Sequence, residues 1–357
     1  MKIGYMPDTH AGPYDMPLPS AVDCQAFAEH LVMEAVVAET SGFDGAFVPE
    51  RHARTETLWP SPLMALMAMA MRTQRIALGT CVLQPAYYNP IHLAEDAAAV
   101  DCMSGGRLIL GVGAGYNEGY FRHFGESFAN RFGRFLESVE IMRTAWQAER
   151  FDFEGEHWRI REALVTPRLS RPNGPPLWFA GTTEAAVKKA GRHGDGLVLL
   201  GFYDPLEERR ELIDMYRAEA DRNSRPAVVV QLLDGFVAET DDEARRTFGE
   251  LWVGEIRYYL EHGMIGLNEI VPSLEHANFD TLEPFMVVGA PDTALEKLRR
   301  FEQQLGLGDD DWVILRSRLP EGPSRDLTIE SIQRFGKDVL PHLRSNIPPS
   351  TAKAKAT

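Results

Sequence analysis

Residues 107–117, Arg-Leu-Ile-Leu-Gly-Val-Gly-Ala-Gly-Tyr-Asn, decide how the rest of the chain is read. Arg107–Val112 is β-rich, and glycines at 111, 113 and 115 overlap and follow it. A dinucleotide-binding turn needs G-x-G-x-x-G after the first strand of an open sheet. Here Tyr116 stands where the third glycine belongs. The first strand, Lys2–Met6, ends in Pro7-Asp8-Thr9-His10 with no glycine at all. An open, doubly wound nucleotide fold is therefore disfavoured.

Outward from that stretch, β-rich runs alternate with helical patterns. The expected strands are Lys2–Met6, Phe43–Val48, Ile76–Leu83, Arg107–Val112, Leu177–Ala180, Leu197–Leu200, Ala227–Ala238 and Trp312–Leu315. The expected helices are Phe27–Thr40, Pro60–Arg72, Ile91–Met103, Phe132–Gln147, Glu184–His193, Leu206–Arg222, Asp242–Glu261, Asp292–Leu305 and Ile329–Leu343. Strict β/α alternation makes a parallel sheet, and eight units close it into a (β/α)8 TIM barrel. No change of composition marks a linker, so residues 1–344 read as one barrel domain. Insertions are expected at about 151–171, aromatic, charged and hairpin-like, and at 262–286. The Pro/Ser/Ala/Lys tail 345–357 is expected to be disordered.

The chain has 357 residues, 44% hydrophobic and 25% charged, with a net charge of -15. That charge argues against nucleic acid or an anionic membrane as a partner, since both need a basic footprint. The three cysteines, Cys24, Cys81 and Cys102, are scattered and lack metal spacing, so neither a metal site nor a disulfide framework is expected. The longest apolar run, Pro62–Met71, is about half a membrane span, and the N-terminus has no signal-peptide pattern. A cytoplasmic protein is expected.

Function in a barrel of this kind gathers at the C-terminal ends of the strands. Glu50-Arg51-His52, Thr80-Cys81, the run Gly111–Tyr116 and Ala180-Gly181-Thr182 all fall there. Each has a plain structural reading alone: a loop histidine, a surface ion pair, relief of crowding, a helix cap. Their convergence on one rim favours a site. Gly181-Thr182-Thr183 before a helix suits a phosphate, and Gly113 and Gly115 let a flat ring approach the backbone. A flat ring with a phosphate tail suggests flavin mononucleotide, FMN. No hydrolase or Walker motif competes.

These residues resemble the bacterial luciferase-like flavin-dependent monooxygenases, from about Lys2 to Leu343. The resemblance rests on GFDGAFVPERH (Gly42–His52), AEDAAAVDCMSGGRLILGVGAGYNEGYFRHFG (Ala94–Gly125), PPLWFAGTTEAA (Pro175–Ala186) and VVGAPDTALEKL (Val287–Leu298). It implies a luciferase-like barrel, reduced FMN delivered by a separate flavin reductase, and molecular oxygen as co-substrate. It also implies that Thr80-Cys81-Val82 supports the flavin ring through a peptide that is often cis. The luciferase catalytic histidine falls on Arg51 and its neighbour on His52. A reactive cysteine falls on Gly113, and a phosphate-binding arginine on Ala114. Those departures argue against light emission.

The expectation is then a monooxygenase that forms a flavin C(4a)-peroxide and oxygenates a small or medium organic substrate. His52 would move the proton, Arg51 would hold an oxyanion and Glu50 would orient one of them. Thr80, Cys81, Gly113, Gly115, Tyr116, Ala180, Gly181 and Thr182 would bind the cofactor. Two alternatives stand beside it: an oxidoreductase that uses a deazaflavin coenzyme for hydride transfer, and a non-catalytic flavin-binding partner subunit. The loops Asp8–Pro19 and His262–Pro284 would set the substrate. A homodimer is expected through Pro60–Arg72, which is apolar nearly all round, and Ile91–Met103.

Overall fold

The computed structural model describes residues 1–169, 171–263 and 265–344; the expected disordered tail lies outside them. From the N-terminus run β1 (Lys2–Met6), α1 (Ala21–Thr40), β2 (Gly45–Val48), α2 (Pro62–Ala70), β3 (Ala77–Leu83), α3 (Pro90–Met103) and β4 (Leu108–Val112). Then come α4 (Glu118–His123), α5 (Arg131–Gln147), the hairpin β5 (Phe151–Glu154) and β6 (Arg159–Ala163), β7 (Leu177–Ala180), α6 (Glu184–His193), β8 (Gly196–Leu200) and α7 (Leu206–Arg222). The last part holds β9 (Val228–Val237), α8 (Asp241–Ala244), α9 (Glu250–Glu261), α10 (Phe279–Leu282), β10 (Val287–Gly289), α11 (Pro291–Leu305), β11 (Trp312–Arg316), α12 (Arg325–Asp338) and α13 (Leu340–Arg344).

The sheet runs β9-β11-β1-β2-β3-β4-β7-β8, and β8 pairs back onto β9 to close it. Every pairing around this ring is parallel. The fold is the expected (β/α)8 TIM barrel, made of the eight expected strands. A strand that the sequence reading lacks, β10, adds to the far half of β9 through Val287↔Gly235 to Gly289↔Val237. Its three residues, Val287–Gly289, are too few to show a period.

Side chains alternate across the barrel wall. Met6, Phe47, Ile109, Trp178, Val198, Val230, Trp312 and Ile314 fill the interior, so the barrel is packed and is not a pore. Phe47 lies at its centre, stacked on Trp178 at 5.6 Å and edge-on to Trp312 at 5.4 Å. Room for that ring comes from glycines on the flanking strands. A Cβ on Gly45 or Gly79 would come within 2.5 or 2.6 Å of it. The opposite face of each strand joins a larger apolar layer under the helices.

Three helices depart from expectation for local reasons. Helix α1 begins at Ala21, six residues early, because Ser20 and Asp23 form a reciprocal capping box. The helix expected over Asp242–Glu261 passes through a π-helical turn at Arg245–Gly249. The one expected over Ile329–Leu343 starts at Arg325, capped by Ser324, and breaks at Val339; Pro341 has no N–H to continue it. A second apolar cluster around Phe248, Trp252, Ile256, Val271 and Met286 joins α9 to the segment before β10.

Candidate active site

Pairing of Tyr5 with Ala46 sets β1 and β2 level, so the residues after Met6 and Val48 emerge at the same end of the barrel. Asp8, Thr9 and His10 follow the first strand, and Glu50, Arg51 and His52 the second. All except Arg51 are buried, and Arg51 nearly so.

Glu50 is held on three sides. It accepts from the Gln84 N–H and the Tyr88 hydroxyl, and its Oε1 stands 3.0 Å from His52 Nε2. Burial, then the Glu50 charge, push the Tyr88 phenol up, so Tyr88 serves as a donor. A carboxylate so placed only accepts; Nε2 therefore carries the histidine proton and Nδ1 is left as an acceptor. The His52 ring is boxed edge-on by Phe124, Tyr87 and Tyr120, with centroids 4.7, 5.9 and 5.9 Å away. Glu50 thus orients His52.

Arg51 belongs to a different group of charges. Its Nη1 donates to Asp8 Oδ1 at 2.7 Å and to the Thr9 hydroxyl at 3.3 Å. The surface Glu50–Arg51 pair offered by the plain structural reading does not form. Asp8 Oδ1 also stands 3.1 Å from His10 Nδ1, without hydrogen-bond geometry. Arg316, at the end of β11, reaches Asp234 at 2.5 Å and Glu255 at 3.0 Å. Burial alone would raise the Asp8 carboxyl, but Arg51, His10 and Arg316 outweigh it and hold it well below the usual range. Sequence reading missed Asp234, Glu255 and Arg316 altogether, because they come from β9, α9 and β11, distant in the chain and carrying no motif.

The residues expected at the cofactor gather on the adjoining strand ends. The Thr80 hydroxyl donates to Gly111 O at 2.7 Å, and the Cys81–Val82 peptide is cis. Burial pushes the Cys81 thiol up to about 12, so it packs as an apolar group. Gly111, not singled out as a ligand, is obligatory where β3 and β4 crowd: a Cβ there would lie 2.2 Å from Thr80 O. A Cβ on Gly113 would stand 3.2 Å from Val82 and 3.6 Å from Ala180, which places that glycine between two apolar walls. Gly115 has φ +86°, and Tyr116 beyond it is 65% exposed.

Beside Ala180 the expectation needs correcting in two details. The Gly181 N–H is already used, donating to Val198 O at 3.2 Å. The helix cap is Thr183, whose side chain accepts from Ala186 N at 3.3 Å. Thr182 is exposed and takes no part in the cap, so its hydroxyl and the amides of the first turn of α6 are the groups that suit a phosphate.

Of the two segments expected to set the substrate, Asp8–Pro19 packs against α9, the helix that precedes the other. Tyr14 stacks on Tyr258 of α9 at 4.1 Å, and its hydroxyl lies 3.4 Å from that of Tyr259. Among the described residues, no group of three or more His, Cys, Asp or Glu is arranged to hold a metal, and no helix is long and apolar enough to cross a membrane.

Comparison with known proteins agrees with this fold. The F420-dependent glucose-6-phosphate dehydrogenase of Mycolicibacterium fortuitum is 37% identical over 209 residues, 55% of this chain and 60% of that protein. The chain thus matches only part of that relative's length. The monooxygenase RslO1 from Streptomyces bottropensis has the same fold, with a TM-score of 0.81 at 24% identity over 96% of this chain and 99% of that one. An F420-dependent secondary alcohol dehydrogenase, solved with an F420-acetone adduct, superposes with a TM-score of 0.72 at 19% identity, over 96% and 99% of the two chains. The family model of luciferase-like monooxygenases matches residues 1–307. The chain belongs to the luciferase-like monooxygenase family of oxidoreductases.

Proposed function

We propose that this chain is a deazaflavin-dependent oxidoreductase, which moves a hydride between an F420-type coenzyme and a small organic substrate. The observation that carries this reading is the 37% identity to an F420-dependent dehydrogenase over 209 residues, 55% of this chain. This favours the deazaflavin alternative over the FMN monooxygenase expected first. In the direction of substrate oxidation it also dispenses with a separate flavin reductase, because the substrate itself delivers the electrons.

The residues at the strand ends fit such a coenzyme. Gly113, between Val82 and Ala180, and the cis-linked Cys81–Val82 would border the ring. Thr80 fixes the backbone there by bonding Gly111 O, while Gly115 and Tyr116 flank the mouth. Thr182 and the amides opening α6 would meet the phosphate. When bound, the deazaflavin supplies a two-electron hydride acceptor or donor.

What the protein adds is control of a proton. Oxidation of an alcohol carbon releases a hydride and a hydroxyl proton, and the proton needs an acceptor within hydrogen-bond reach. His52 presents Nδ1 because Glu50 fixes Nε2 as the protonated nitrogen. The Glu50 carboxylate then balances the imidazolium that forms. Arg51, held by Asp8, supplies a fixed positive charge beside the site for a developing oxyanion.

The test is to mix the purified protein with oxidised F420 and a panel of secondary alcohols and sugar phosphates, following loss of the coenzyme's visible absorbance. At least one substrate should reduce it, and deuterium on the reacting carbon should slow the step. Failure across the panel, with reduced FMN and oxygen giving an oxygenated product instead, would restore the monooxygenase reading.

A further inference from the structure

Arg209 lies in the first turn of α7, just after β8 ends, on the same end of the barrel as the candidate active site. It is only 2% exposed. None of its three guanidinium nitrogens has a hydrogen-bond partner among the described residues. Arg316 is paired with Asp234 and Glu255, and Arg51 with Asp8; Arg318, also buried, stands over the Phe27 ring. Arg107 is satisfied by backbone carbonyls and Thr73.

No neighbour accepts from Arg209, although the Gln231 Oε1 close by is itself without a partner. Its guanidinium lies 6.0 Å from the Phe285 ring centroid. A Cβ on Gly201 would stand 2.8 Å from Nη1 and 2.4 Å from Gln231 Nε2, so the two heads meet over that glycine. Gln231 spends its amide hydrogens on Leu199 O and Leu232 O. Burial pulls the guanidinium down to about 10, with the Asp204 charge acting against it. An arginine keeps its charge even so, and an unpaired buried charge is among the least tolerable arrangements in a protein interior. Water could satisfy the N–H groups but would bring no countercharge.

We propose that Arg209 holds an oxyanion, the carboxylate or phosphate group of a bound ligand, in the wall formed by β8, β9 and the start of α7. The planar fork of donors matches such a group two-pronged. Gly201, lacking a Cβ, leaves backbone beside Nη1 where a side chain would otherwise intrude. The N-terminal turn of α7 adds a positive end, and its cap, Pro205, makes no side-chain bond to the turn. The acidic residues of that turn, Glu207 and Glu208, are solvent-exposed. This inference is independent of the coenzyme assignment.

The test uses coenzyme-free protein and inorganic phosphate, against chloride at equal ionic strength, read by calorimetric titration and melting temperature. Phosphate should bind wild type saturably and raise its melting temperature. Arg209→Met should lose phosphate affinity tenfold or more, yet melt no lower than wild type in chloride, since it removes an unpaired charge. Arg209→Gln, which keeps hydrogen-bonding capacity without charge, should behave like Arg209→Met towards phosphate. Two further titrations assign the source. If Arg209→Met weakens intact F420 but not the same deazaflavin stripped of its acidic tail, the oxyanion is the coenzyme's. If it weakens neither, the oxyanion comes from the substrate or free solution. The proposal is overturned if phosphate leaves wild type unaffected, if either variant binds it as wild type does, or if Arg209→Met melts lower in chloride.

Discussion

Glu50 Oε1 stands 3.0 Å from His52 Nε2, and the same carboxylate is fixed from behind by the Gln84 N–H and the Tyr88 hydroxyl. This arrangement decides which nitrogen of His52 can take a proton. His52→Ala should lower kcat by about 100-fold or more, with coenzyme affinity and melting temperature little changed. Glu50→Gln should cost about tenfold, because an amide no longer dictates the tautomer. Steady-state rates with a coenzyme titration check both; unchanged turnover in His52→Ala at saturating coenzyme removes the assigned role.

How much of this was readable from sequence depends on whether the partners are close along the chain. The eight barrel strands could be read because β/α alternation repeats a local pattern, and Glu50 and His52 because one turn carries both. Their geometry could not be read: Gln84 and Tyr88 arrive from beyond β3, 34 and 38 residues away. The start of α1 was written in Ser20-x-x-Asp23, but its first turns are largely exposed and give no apolar stripe to extend the helix backwards. The pairing of Arg51 with Asp8 could not be read for the same reason, since Asp8 lies 43 residues away.

The Asp8 group makes a prediction about acid. Its folded pKa is held well below that of the unfolded chain by Arg51, His10 and Arg316, against burial. The stability this confers is present above about pH 4 and is lost as pH falls through the folded value. Asp8→Asn should destabilise the neutral protein by about 3 kcal/mol, because it strips Arg51 of its countercharge. It should also flatten the fall in stability below pH 4, as measured by urea unfolding across pH.

Glu34 makes the opposite prediction. It is buried against the Tyr5 hydroxyl at 2.8 Å, and burial raises its carboxyl to about 7. The folded state binds that proton more tightly than the unfolded chain, so stability is greatest below about pH 4.5 and falls as pH rises through 7. Over that window the loss is about 3 kcal/mol at most. Melting temperatures of wild type should drop between pH 5 and pH 8, whereas those of Glu34→Gln should not show that component.

Thr182 and Thr183 should separate cleanly. Thr182→Ala removes a hydroxyl that suits the coenzyme phosphate and should weaken binding about tenfold, or ~1.5 kcal/mol. A ring lacking the phosphate should bind it as it binds wild type. Thr183→Ala removes the cap on Ala186 N and should cost about 1 kcal/mol of stability with coenzyme affinity unchanged. Fluorescence titration and thermal unfolding of the two variants provide the check.

Met64 on α2 is 63% and Met71 just beyond it 59% exposed, while Met67 is half-buried against the core. If the expected homodimer forms through α2 and α3, Met64→Glu should turn it into monomer without unfolding it, whereas Met67→Glu would also disturb the core. Sedimentation at micromolar concentration reads the result, and a monomeric wild type ends the proposal.

Most directly, the coenzyme assignment is tested by equilibrium dialysis of the purified protein against F420 and FMN together. F420 should be retained at least tenfold more tightly, a difference of about 1.4 kcal/mol, and His52→Ala should leave this ratio unchanged. Tighter retention of FMN would contradict the assignment.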